Sequence, residues 1–296
     1  MRLSLKQLQV FVAVADSGST AAGADAVALS QSAASAALNE LERQLRVQLF
    51  DRVGKKLLLN DSGRQLLPQA RQMLDAALQI EGQFQHAHGG TVRIAASTTI
   101  GIYLLPQILA RMQAEGASTL PSVRIENSMA AAAAVAAYQA DFGLIEGPCR
   151  EPELLVEPWQ EDELIIVCAP RHPITRRLRD GKAPVAALEQ AGWLLREAGS
   201  GTADAVDSLL LPQLHHLRAA AQFGNSEAIK HAAAAGLGLA CLPRLVVADL
   251  LALGRLVELP VDLPPLRRQF YLIRQRGKSL SRSLEAVLDA CRAQPL

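Results

Sequence analysis

The stretch SQSAASAALNELERQL, residues 30–45, decides the fold of the first part of this chain. Its large apolar residues recur every three or four positions, which predicts an amphipathic α-helix. They are Ala34, Leu38, Leu41 and Leu45. Ser30 precedes them as a helix N-cap. The opposite face carries only short or amide side chains: Gln31, Ser32, Ser35, Ala36 and Asn39. A face with so little bulk can approach another molecule closely.

The residues before this helix predict two more helices. Ser4 and Gln7 have the spacing of a capping box, and Gly18 ends the helix that they begin. Ser19 caps a second helix that runs to Ala28. Three short helices, with a tight turn between the second and the third, are typical of a helix-turn-helix.

The residues after the helix predict a wing and, with it, contact with DNA. The segment DRVGKKLLLND, residues 51–61, predicts two short strands around Gly54. Gln and Asn side chains can bridge an adenine edge in the major groove, and flanking cations neutralise phosphates. An ordinary polar helix face is the alternative, but the clustered cations favour duplex DNA. The predicted contacts are Gln31, Ser32, Ser35, Asn39, Arg43, Arg52, Lys55 and Lys56.

From Ser62 the pattern changes to one long helix with an a/d seam of apolar residues. The seam consists of Leu66, Ala70, Met73, Ala77, Ile80 and Phe84. Two interpretations remain open, a coiled coil between two copies of the chain and packing of the helix on its own domain. Pro68 lies in the first turns, and the pair Gly89–Gly90 predicts a hinge after the helix.

Residues 91–296 alternate strands with helices, which predicts an α/β sheet long enough for two lobes. Three strand-to-helix junctions carry hydroxyls, glycines or amides: 97–99, 199–202 and 225–227. Each taken alone is an ordinary N-cap. Together, at the carboxyl ends of strands, they predict a site for a small anion held by backbone N–H groups and hydroxyls.

Composition and motifs exclude several classes of protein. Half of the 296 residues are hydrophobic, so disorder is excluded, yet no run is long enough to span a membrane. The four cysteines are scattered, and no secretion signal or metal-ligand spacing occurs, so we expect a cytoplasmic protein without metal or cofactor. No catalytic constellation is present. A solute receptor or an α/β enzyme without a DNA-binding role remains the alternative to a DNA-binding protein that responds to a ligand.

Seven segments together resemble LysR-type transcriptional regulators. They are LKQLQVFVAVADSGS, LSQSAASAALNELERQL, VQLFDRVGKKLLLNDSGRQLLP, IAASTTIGIYLLP, DFGLIEGP, LLREAGSGT and GNSEAIKHAAAAGLGLACLPR. The resemblance covers essentially the whole chain and is nearest to the YeiE/CysL-like branch, whose relatives include regulators of sulfur metabolism. One departure is Arg46, which stands where the family usually has glycine.

The resemblance implies a multidomain α/β protein that binds promoter DNA as a homodimer or homotetramer. It implies a winged helix-turn-helix over 1–60, a dimerising linker helix and hinge over 61–90, and a periplasmic-binding-protein-like effector domain over 91–296. Lobe I of that domain would span 91–163 and 266–296, and lobe II 164–265. The implied effector residues are Ser97, Thr98, Thr99, Ser128, Glu146, Thr202 and Asn225.

Glu146 constrains the expected effector. A carboxylate repels a bound dianion unless one of the two holds a proton. Hydrogen sulfite therefore suits the site better than sulfate. The acidic run at 161–163 and the cations at 267–282 are expected to be solvated faces.

Overall fold

The computed structural model describes residues 3–53, 56–84, 91–117 and 120–293, with the backbone alone for 82–84. These residues form two compact units. The first comprises the described residues within Met1–Gly90, Ala136–Tyr138 and Gly277–Ser283. The second comprises those within Thr91–Val135, Gln139–Arg276 and Leu284–Leu296.

The first unit contains the predicted winged helix-turn-helix. Its elements are α1 (Leu5–Ser17), α2 (Thr20–Ala26), α3 (Gln31–Leu45), β1 (Phe50–Val53), β2 (Lys56–Leu59) and α4 (Asp61–Phe84). The capping box of Ser4 and Gln7 is present, and Gly18 ends α1 in the left-handed conformation. Helix α2 ends two residues before Ala28, whose φ of 53° breaks the helical path. The two wing strands pair antiparallel, Val53 opposite Lys56.

Large apolar side chains from α1 and α3, together with Ala24 from α2, fill the core of this unit. Phe11 is fully buried, and its ring centroid lies 5.6 Å from that of Phe50 on the wing. Helices α1 and α2 cross so closely that a Cβ on Gly23 would lie 2.6 Å from Cγ2 of Val14. Glycine is therefore required at this crossing, because any side chain would push the helices apart.

The apolar seam of α4 divides into two parts. Ala70 is buried in the core of the first unit, and Leu66 packs against it. Met73 and Ile80, in contrast, are 41% and 58% exposed. The part with Leu66 and Ala70 thus packs on its own domain, because it shares a core with residues of α1. The Phe84 side chain and Gly89–Gly90 lie outside the described residues.

The second unit is built on a seven-stranded mixed sheet in the order β10-β6-β11-β5-β3-β4, with β9 also paired to β6; β7 and β8 form a separate parallel pair. The strands are β3 (Arg93–Ser97), β4 (Ser122–Glu126), β5 (Phe142–Glu146), β6 (Leu154–Cys168), β7 (Gly192–Arg196), β8 (Arg218–Phe223), β9 (Ala240–Pro243), β10 (Val257–Glu258) and β11 (Leu266–Gln275). The helices are α5 (Leu105–Ala114), α6 (Ser128–Ala136), α7 (Val185–Gln190), α8 (Gly201–Ala205), α9 (Leu211–Leu214), α10 (Ser226–Ala234), α11 (Arg244–Ala252) and α12 (Arg282–Arg292).

Separate hydrophobic cores divide this unit into two lobes. We call lobe I the elements packed around the core that contains Ile94, Phe142 and Phe270. Lobe II is the part packed around two further cores, one with Trp193 and one with Val246. Strands β6 and β11 run antiparallel to each other through both lobes, since Leu266 lies in a core of lobe II and Phe270 in that of lobe I.

One residue of the acidic run at 161–163 corrects the expectation of a solvated face, because Asp162 is buried within β6 whereas Glu161 is exposed. Asp162 is 8% exposed and is the register partner of Arg268 on β11. Strand β6 pairs with β11 on one side and with β9 and β10 on the other, and Asp162 points to the same face of the strand as the buried Leu164 and Ile166.

Candidate DNA-binding and effector sites

The N-terminal turn of α3 presents the predicted DNA face to solvent. The Ser30 hydroxyl accepts a hydrogen bond from the backbone N–H of Ala33, so Ser30 is the N-cap of the helix that begins at Gln31. Gln31, Ser32 and Asn39 are exposed, and Ser35 is half-buried. Short exposed side chains at the start of a helix that follows a tight turn have the geometry of a major-groove recognition helix.

The cations around this face differ in how they are paired. Arg43 donates to both oxygens of Glu40 at 2.7 and 2.6 Å, and these bonds hold the pKa of Glu40 at about 2. Its charge is therefore already neutralised within the helix. Arg52 and Lys56 on the wing are exposed and form no ion pair with any described residue. Lys55 lies outside the described residues.

Arg46 ends α3 in the left-handed conformation, with φ 57° and ψ 31°. This is the position at which the family usually has glycine, and a side chain there is mildly strained. The neighbouring Glu42 is buried, and its Oε1 accepts a 2.8 Å hydrogen bond from the backbone N–H of Leu49. That bond fixes the connection between α3 and the wing.

Five of the predicted effector residues are buried where the two lobes meet. They are Ser97, Thr98, Thr99, Ser128 and Thr202, each at most 7% exposed. Asn225 does not join them. It is exposed, and its Oδ1 accepts from the backbone N–H of Glu227 to cap α10, so its polar atom serves the helix. The buried hydroxyl at that junction belongs to Ser226, which accepts from Arg196 at 2.7 Å.

Glu146 lies at the centre of this group, at the end of β5, and is 2% exposed. Its Oε1 accepts from the backbone N–H of Thr99 at 2.9 Å, and its Oε2 from the Thr202 hydroxyl at 3.1 Å. Burial opposes its ionisation, but the adjacent Arg268 guanidinium and these hydrogen bonds bring its pKa below the usual value. Glu146 therefore has its counter-charge within the protein. Glu146 need not be protonated for an anion to bind beside it, because Arg268 compensates the negative charge that would repel the anion.

Arg268 is the residue that sequence reasoning missed, because it is buried and does not lie on the solvated face expected for the cations at 267–282. Its Nη1 lies 2.7 Å from Oε2 of Glu146 and 3.1 Å from the Thr202 hydroxyl, and its Nε donates to Asp162 at 2.7 Å. One signal was available in the sequence, because Arg268 alternates with Leu266 and Phe270, and a β-strand places alternate side chains on one face. In the structure all three side chains are buried. Burial raises the pKa of Asp162 in spite of Arg268 beside it. One cation thus serves two buried carboxyl groups.

The lobes are in close contact at this point. The backbone N–H of Met129 in lobe I donates to the carbonyl of Gly199 in lobe II at 3.0 Å. A Cβ on Gly201 would lie 2.0 Å from the carbonyl oxygen of Glu146. The hydroxyls of Ser97 and Thr99 lie close enough to Glu146 to lower its pKa, yet neither makes a hydrogen bond of good geometry. They are donors that a ligand could use.

Comparisons with known proteins agree with this architecture. Residues 5–64 match the bacterial regulatory helix-turn-helix proteins of the lysR family, and residues 85–295 match the LysR substrate binding domain. The chain is 46% identical to the uncharacterized HTH-type transcriptional regulator YeiE of Escherichia coli K12, over 98% of both chains. It is 32% identical to the HTH-type transcriptional regulator CysL of Bacillus subtilis, over 81% of this chain and 80% of that one. A full-length OxyR variant of Pseudomonas aeruginosa has the same fold, with a TM-score of 0.79, 22% identity and coverage of 99% and 96%.

A winged helix-turn-helix joined to a two-lobed α/β unit with a buried polar site defines a ligand-responsive, DNA-binding regulator. The chain belongs to the LysR family of transcriptional regulators. Such proteins act by binding DNA and are not enzymes. Within the described part of the chain, no helix is long and apolar enough to cross a membrane, and no cluster of His, Cys, Asp or Glu could hold a metal ion.

Proposed function

We propose that the protein reads promoter DNA with the first turns of α3 and holds the phosphate backbone with its wing. In this proposal the winged helix-turn-helix spans 1–60, the linker helix and hinge 61–90, and the effector domain 91–296. Gln31, Ser32, Ser35 and Asn39 contact bases, and Arg52 and Lys56 contact phosphates. The observation that supports it is that Gln31 and Arg52 are exposed beside a compact helix-turn-helix core, and that neither side chain is bonded to another described residue.

Alanine substitutions separate these two roles. Gln31→Ala is expected to relax discrimination at one base position at a cost of about 1–3 kcal/mol. Arg52→Ala is expected to weaken binding to all sequences and to reduce the salt slope by about 0.9. Fluorescence anisotropy on selected and scrambled duplexes, at several salt concentrations, measures both effects. An equal loss of affinity for both duplexes in Gln31→Ala would contradict its base-reading role.

We propose that the effector is a small oxyanion, with sulfite as the first candidate. Buried hydroxyls of Ser97 and Thr99 without good hydrogen bonds support a small ligand with acceptor oxygens, and the pairing of Arg268 with Glu146 removes a negative charge that would repel an anion. The resemblance to a branch that includes regulators of sulfur metabolism selects sulfite among such anions. With Glu146 neutralised by Arg268, singly and doubly charged forms are both admissible, so geometry and size select the ligand.

Calorimetry on the full-length protein tests this assignment. Sulfite is expected to bind more tightly than sulfate, and the Ser97→Ala/Thr99→Val double variant to bind it about tenfold more weakly per hydrogen bond lost. Thr98→Val is the control, because the Thr98 hydroxyl is already bonded to the carbonyl of Glu126. Tighter binding of sulfate, or the same loss in the control, would exclude the proposal.

We also propose that the exposed part of the α4 seam pairs two copies of the chain. Met73 and Ile80 are exposed apolar residues seven positions apart, which places them on one helix face. Introducing Glu at both positions is expected to halve the mass measured by light scattering, since two charges would be buried in the pair. Leu78→Glu, at an exposed apolar position on another face of the helix, is the control. An unaltered mass in the double variant would refute the seam as an interface.

A further inference from the structure

One dense cluster of positive charge lies outside the DNA-binding unit. The segment RHPITRRLRDGK, residues 171–182, carries five cations and a single anion, Asp180. It lies in lobe II, and none of the functions described above uses it. We call this segment the arginine arm.

The arm has a fixed base and an ordered tip. Ile174, in a short 3-10 turn at Pro173–Arg176, is buried in a core of lobe II. At the tip, Arg179 and Lys182 exchange backbone hydrogen bonds of 2.8 and 2.9 Å. The two residues between them, Asp180 and Gly181, have φ values of 48° and 78° and close a tight hairpin. The arm therefore presents its side chains from a defined backbone.

The arginines of the arm form no ion pairs within the described part of the chain. Arg171, Arg176, Arg177 and Arg179 are exposed and form no ion pair with any described residue, whereas Lys182 is bonded to Asp262 at 2.6 Å. Two other exposed arginines of the same unit are paired with carboxylates. Arg244 bonds both Glu163 and Glu258, and Arg292 bonds Glu157. The arm is thus a concentrated charge that the protein itself leaves uncompensated, at a cost in self-repulsion.

We propose that the arginine arm binds the phosphate backbone of duplex DNA outside the sequence that the helix-turn-helix reads. Arginine forks match phosphate oxygens, and such contacts carry affinity without sequence information. A protein partner would need an apolar centre, and the arm offers only Leu178, which is 37% exposed. The arm contains no aromatic residue on which single-stranded bases could stack. The proposal rests on the DNA-binding function of the chain and adds a second contact to it.

The test compares two duplexes and two triple variants of the full-length protein. One duplex carries only the selected site, and the other extends it by several helical turns on each side. The arm variant is R176Q/R177Q/R179Q. The control R150Q/R255Q/R267Q removes the same net charge from exposed positions scattered over the same unit.

We expect the arm variant to bind the short duplex as the unaltered protein does. On the long duplex its salt slope should fall by about 0.9 for each lost phosphate contact, and its affinity at low salt by tenfold or more. Loss on the short duplex as well would implicate the helix-turn-helix and overturn the proposal. Equal losses of affinity for the long duplex in both variants would overturn it, because the loss of net charge alone would then explain the effect. Unchanged binding to the long duplex would also overturn it and leave an acidic protein surface as the partner.

Discussion

Replacing Arg268 with alanine is expected to lower the free energy of unfolding by about 3–5 kcal/mol at neutral pH, because it leaves buried carboxyl groups without their cation. Glu146 is 2% and Asp162 8% exposed, and Arg268 lies 2.7 Å from each. For a unit of this size the loss corresponds to a fall in melting temperature of roughly 6–20 °C. Differential scanning calorimetry measures it directly.

The loss should depend on pH in a defined direction. In the unaltered protein the folded-state pKa of Glu146 is lowered, so its ionisation stabilises the fold above the unfolded pKa, and this contribution is lost as pH falls through the folded pKa. Without Arg268, burial remains and raises the pKa of Glu146 above its unfolded value. The variant is therefore expected to regain stability between neutral pH and pH values near 5.

The adjacent residue provides the control. Arg267 is exposed, and its replacement by alanine should change the free energy of unfolding by less than about 0.5 kcal/mol. A variant at Arg268 that is as stable as that control, or whose deficit grows as the pH is lowered, would show that the ion cluster does not stabilise the interface between the lobes.

Replacing Gly201 with alanine is expected to force the lobes apart. The added Cβ would lie 2.0 Å from the carbonyl oxygen and 2.7 Å from the carbonyl carbon of Glu146, and backbone cannot move aside as a side chain can. Overpacking of this kind costs about 1–3 kcal/mol, and more against backbone, which lowers the melting temperature by roughly 2–12 °C or more. The amide of Met129, bonded to Gly199 across the lobes, should exchange its hydrogen faster.

Gly224 offers a matched comparison at another strand-to-helix junction of the same unit. A Cβ there would meet no atom within 4 Å, so Gly224→Ala should be neutral or slightly stabilising. Protection of the Met129 amide that is unchanged in Gly201→Ala would mean that the lobes close without the contact between Gly201 and Glu146.

The helix-turn-helix could be predicted closely because its signals are local. The capping box at Ser4, the left-handed Gly18 and the N-cap Ser30 each act within one helical turn, and each is present as predicted. The wing followed from the spacing around Gly54. Helix α2 is shorter than predicted only at its last turn, where the conformation of Ala28 depends on how the chain enters α3.

The effector region was predicted in part. Hydroxyls at the junctions 97–99 and 199–202 do lie together, since the carboxyl ends of strands and the N-termini of helices meet where the lobes face each other. Asn225 was grouped with them because its junction looks the same in sequence, but its side chain caps α10. Asp162 was expected on a solvated face, because nothing in the local sequence shows that this face of β6 is buried.

Short-range caps, periodicities and motifs were sufficient to predict the class of protein, the winged helix-turn-helix and the hydroxyls of the candidate effector site. The tertiary fold was needed to show that Arg268 neutralises Glu146, that the α4 seam is buried in one part and exposed in the other, and that four arginines of the arginine arm form no ion pair with any described residue. The physical reason is that charge pairing and burial depend on which strands become neighbours. Asp162 and Arg268 are 106 residues apart in the chain and are joined only by strand register.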